Sequence, residues 1–122
     1  MGETLDFATL RDRNVARCEE AFHPLHDWTP TDWACALAGE VGEACNLVKK
    51  LRRMVAPGSA VVALGHLQDG TAERLVGDIA DELADAVIYA DLLAARLYVD
   101  LGAAVRRTFN RTSRAVGSDV TL

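Results

Sequence analysis

Positive charge is in short supply in this chain: 13 Lys and Arg stand against 18 Asp and Glu, a formal net charge of -5. That balance argues against a nucleic-acid partner, which needs a basic face. It leaves room for a small anionic substrate, because a bound cation reverses the local field. Cysteine is scarce as well. Cys18, Cys35 and Cys45 are odd in number and include no CxxC pair, which speaks against a disulfide framework or a zinc knuckle. Three buried thiols in a reducing compartment are the expectation. No apolar run approaches the roughly 18 residues that span a bilayer, and the N-terminus has no signal-peptide core. A cytoplasmic protein with no membrane partner is expected. Strand-like alternation, internal repeats and low-complexity stretches are also missing.

The 122 residues, half of them apolar and a quarter charged, fit one domain over 1–122. Four helical segments account for most of it. The first runs over Thr4–Phe22, with Phe7, Leu10, Cys18, Ala21 and Phe22 on one side, and His23-Pro24 stops it. Before the second, Thr29 is a good N-cap, Pro30 suits the first helical position, and Asp32 completes a capping box. Its apolar stripe reads Trp33, Leu37, Val41, Ala44, Val48 and Leu51, and it ends near 53–55. A linker over 56–70 carries Pro57, Gly58, Gly65 and Gly70 around an apolar run, a length that is often functional in a compact domain. The third helix spans Thr71–Leu97, with Leu75, Ile79, Leu83, Ala86, Ala90, Leu93 and Leu97 as its stripe. Small residues on another of its sides point to a second neighbour, and so to a subunit interface. Asp100 caps the fourth, which ends at Val116-Gly117. The expected architecture is all-α, a four-helix bundle assembled as a dimer or tetramer.

Two acidic edges carry the chemistry. Glu40 and Glu43 flank the stripe of the second helix, with Asn46 and Lys50 continuing that edge. Asp78, Glu82, Asp85, Tyr89 and Arg96 do the same on the third. If the stripes pack together, Glu40, Glu43, Glu82 and Asp85 converge, and like charges that close need protons or cations. An oxygen-only donor set favours magnesium, with manganese able to substitute. Solvated ExxE and ExxD faces are the bland alternative; two such pairs, each bordering a stripe, weigh against it. Lys50 is the best phosphate contact, whereas its basic neighbours suit the negative end of the helix dipole. Trp28 reads either as a hydrophobic staple or as a platform for a nucleobase. His23 and His26 have HxxH spacing without a third ligand and read as loop packing. Arg106, Arg107, Arg111 and Arg114 on the fourth helix face solvent or neutralise phosphates.

At these residues the chain resembles the MazG-like all-α nucleoside triphosphate pyrophosphohydrolases. The likeness rests on His26-Asp27-Trp28, ALAGEVGEACN over 36–46, DELADAVIYADL over 81–92, and the segment Phe109-Asn110 to Ser113. It covers most of the chain from about residue 22. The resemblance implies Mg2+-dependent hydrolysis between the α- and β-phosphates, giving a nucleoside monophosphate and pyrophosphate. It implies Glu40, Glu43, Glu82 and Asp85 as metal ligands and a homo-oligomer; Glu43 and Glu82 are the expected catalytic carboxylates, with a water beside Glu43 as the attacking group. It further implies Asn110 as a substrate contact, with Arg106 or Arg107 replacing a lysine where this chain has Thr108. Trp28 and Asn46 are then expected at the base or sugar, with Lys50 and Arg107 at the phosphates. Many members carry a Glu directly before the ExxE motif, where this chain has Gly39; branches similar to deoxycytidine triphosphate pyrophosphatases share the glycine. The alternative expectation is a non-catalytic metal- or nucleotide-binding regulatory or oligomerisation module.

Overall fold

The computed structural model describes residues 2–54 and 70–122, and among them the chain is all-helical. The 56–69 part of the expected linker lies outside the described residues. Four α-helices follow in order: α1 (Phe7–Arg17), α2 (Pro30–Met54), α3 (Thr71–Arg96) and α4 (Leu101–Val116). A π-helical turn, Cys18–Phe22, extends α1, and a 3₁₀ turn, Leu25–Asp27, precedes α2.

The helix ends are written in local chemistry. Asp6 caps α1, accepting from the Thr9 amide at 2.7 Å, so the helix begins later than its periodicity suggests. At the other end His23 donates its amide to Cys18 O, five residues back, at 3.0 Å. This wider turn is completed as His23, ahead of Pro24, goes extended. The capping box of α2 forms as the spacing predicts. Thr29 N donates to Asp32 Oδ2 at 2.9 Å, and Asp32 N donates to Thr29 Oγ1 at 3.2 Å. Asp100 caps α4 through the Ala103 amide at 2.9 Å, and Gly117, at φ 74°, ends it.

The chain divides into two compact units, Met1–Trp33 with Ala90–Leu122, and Ala34–Tyr89. In the first, Asp91 is only 1% exposed and is held by Arg11 Nε at 2.9 Å and by the buried Asn14 Nδ2 at 3.1 Å. Arg11 also donates to Val99 O at 2.9 Å. The partners satisfy a charge that could not otherwise stay buried. Gly102 lets α4 approach α1, since a Cβ there would stand 3.0 Å from the Phe7 Cβ. Trp33, buried, donates its indole N–H to Leu25 O at 3.1 Å, fixing the 3₁₀ turn.

In the second unit, α2 presents Leu37, Glu40, Ala44, Leu47 and Leu51 inward, and α3 presents Ala72, Leu75, Ile79, Glu82, Ala86 and Tyr89; all are buried or half-buried. The spacings alternate between three and four residues, the signature of packed helices. This corrects the expected stripes: Val41 and Val48 on α2 and Leu83 on α3 are exposed. The error was one of phase. A seam drawn to keep glutamates at its edge takes in valines, whereas the actual seam contains Glu40 and Glu82. Further expectations fail: Phe7, Ala21 and Phe22 from the first apolar side and Leu97 from the third stripe are exposed, and of the three cysteines only Cys18 is buried.

Candidate metal centre

Glu40 and Glu82 project from inner positions of α2 and α3, each one helical step from apolar packing residues: Leu37 and Ala44 beside Glu40, Ile79 and Ala86 beside Glu82. Asp85, one turn beyond Glu82, joins them. One carboxylate oxygen from each of Glu40, Glu82 and Asp85 lies within 4.8 Å of the other two. None of the three forms an ion pair with a lysine or arginine among the described residues. Glu43 is exposed; it borders Glu82 closely enough to perturb it, yet stands outside that group of three.

The electrostatics arise from this crowding. The Glu82 carboxyl is pushed up from 4.5 to about 7. Hydrogen bonding of its protonated form to Glu40 is the largest cause and the same bond to Glu43 the next. Desolvation and repulsion from both glutamates add to it. When all the carboxylates are ionised none can donate, and Glu82 Oε2 is then a buried oxygen with no hydrogen-bond partner. Such an atom requires a proton or a cation. The donor set is oxygen only, which suits a hard divalent ion such as Mg2+ or Mn2+ over zinc or copper. The residues present therefore fit a cation: three carboxylates converge, and one of them carries a buried oxygen with no hydrogen-bond partner.

The remaining residues singled out from the sequence divide between the units. Asn46 and Lys50 lie on α2 in the same unit as the carboxylates and are exposed. Trp28, Arg107 and Asn110 belong to the other unit. Trp28 is half-buried in an aromatic cluster, its ring centroid 4.6 Å from that of Trp33 and 4.7 Å from that of His23. Its carbonyl accepts from Arg96 Nε at 2.9 Å. Arg107 is exposed on α4. Asn110 binds the main chain of Leu122 in both directions: Oδ1 accepts from Leu122 N at 2.9 Å and Nδ2 donates to Leu122 O at 3.3 Å. His26 meets the Tyr98 hydroxyl at 3.4 Å through Nε2.

Sequence reasoning missed the Arg11–Asn14–Asp91 network. Its signal was present: Asp91 is a lone carboxylate in the apolar run IYADLLAA, where a charge has to be paired. No protein-family model, curated protein or solved structure matches this chain.

Proposed function

We propose that this chain is a Mg2+-dependent nucleoside triphosphate pyrophosphohydrolase, splitting the substrate between its α- and β-phosphates into a nucleoside monophosphate and pyrophosphate. The observation that carries the reading is the placement of Glu40 and Glu82 in the packed seam, with Asp85 beside them and Glu82 Oε2 unpartnered. A protein gains no stability by putting two facing carboxylates where Leu or Ala would pack. Their use must be in what they hold.

Glu40, Glu82 and Asp85 hold the ion in this reading, and Glu43 completes the anionic face. Bound there, Mg2+ supplies charge neutralisation for the phosphate chain and lowers the pKa of water. Glu43, solvent-facing and adjacent to Glu82, accepts the proton from the attacking water, since an exposed carboxylate can pass it on to bulk solvent. Lys50 lies further along the same helix and steadies the phosphate chain by point-charge attraction. Asn46 takes the sugar or base. Arg107, Asn110 and the Trp28 platform are assigned to the substrate by the family resemblance; Asn110 has to release Leu122 to serve.

The assembly belongs to the same proposal. Ala34, Ala38, Val41, Cys45 and Val48 on α2, and Val76, Ala80, Leu83 and Val87 on α3, are exposed at alternating spacings of three and four. Two seams of this kind support a helical bundle completed by a second copy, as a dimer or tetramer. No helix of the described residues is long and apolar enough to cross a membrane; a cytoplasmic setting is part of the proposal.

A panel of common and modified nucleoside triphosphates, incubated with Mg2+ and analysed for products by chromatography, tests the reading. Monophosphate and pyrophosphate are expected from at least one of them, and Glu82→Gln should abolish their release while the helical CD spectrum persists. Cation-dependent stabilisation without turnover of any nucleotide would favour the non-catalytic module instead.

A further inference from the structure

We draw no further inference here: the strongest candidate, the apolar face of α4 on which Val105, Phe109 and Val116 are exposed beside the exposed Arg107 and Arg111, carries nothing, because nothing in the structure shows what covers it.

Discussion

Asp91 and Arg11 form an ion pair of 2.9 Å in which the carboxylate is 1% exposed and the guanidinium side chain 25% exposed. The burial is asymmetric, and so is the consequence. Losing Arg11 leaves a buried charge with Asn14 as its remaining side-chain partner. Arg11→Met should therefore destabilise the protein by about 3 kcal/mol. Adding Asp91→Asn should restore much of that loss, since the uncompensated charge goes with it. Urea unfolding of the two variants measures both, and a single variant of unchanged stability would show that the pair contributes nothing.

Acid sensitivity should come partly from the helix caps. Asp6 and Asp32 both have carboxyls held below their ordinary 3.8, chiefly by the amides of Thr9 and Thr29 respectively. For an acid whose folded value is depressed, the stabilisation is present above the unfolded value and lost as pH falls through the folded one. Stability should thus decline below about pH 4, and Asp32→Asn should flatten that decline. Thermal melts between pH 2 and pH 6 are the check; an unchanged acid limb in the variant would contradict the assignment.

Glu82 runs the opposite way. Its value is raised from 4.5 to about 7, so the metal-free protein binds more protons folded than unfolded between those limits. Its stability should fall as pH rises through that window. A cation needs the ionised form, so binding should release protons near pH 6 and tighten as pH rises past 7. Calorimetry in buffers of different ionisation enthalpy reads the released protons directly. Glu82→Gln should abolish the release.

Thiol reactivity tests the placement of the cysteines. Cys35 and Cys45 are exposed, and Cys18 is buried, with its thiol pushed up by desolvation. A thiol reagent should modify Cys35 quickly in the native protein and Cys18 only on unfolding, with Cys45 slowed where a second copy covers the α2 seam. Fast reaction of Cys18 would not fit.

Much of the framework was legible in the residues. The capping box at Thr29–Asp32, the stop at His23-Pro24 and the cap at Asp100 are local chemistry, and they form where the spacing places them. The seam of the second unit was misread because hydrophobicity alone fixes its phase. Val41 and Val48 outrank Glu40 on any apolar scale, and only packing shows that the glutamate lies inside. The meeting of Glu40, Glu82 and Asp85 was legible from the order of two acidic motifs. The Asn110–Leu122 bonds were not, because nothing in the pattern of a polar tail says which side chain will bind its backbone. The Arg11–Asp91 pair links residues eighty positions apart, a separation that periodicity does not reach.

The presence of a divalent ion among three carboxylates is open to direct observation. Crystals grown with Mn2+ and measured for anomalous scattering should show a peak coordinated by oxygens of Glu40, Glu82 and Asp85, and Glu82→Gln should lose it. A map with no peak at those oxygens, in protein saturated with the ion, would contradict the account.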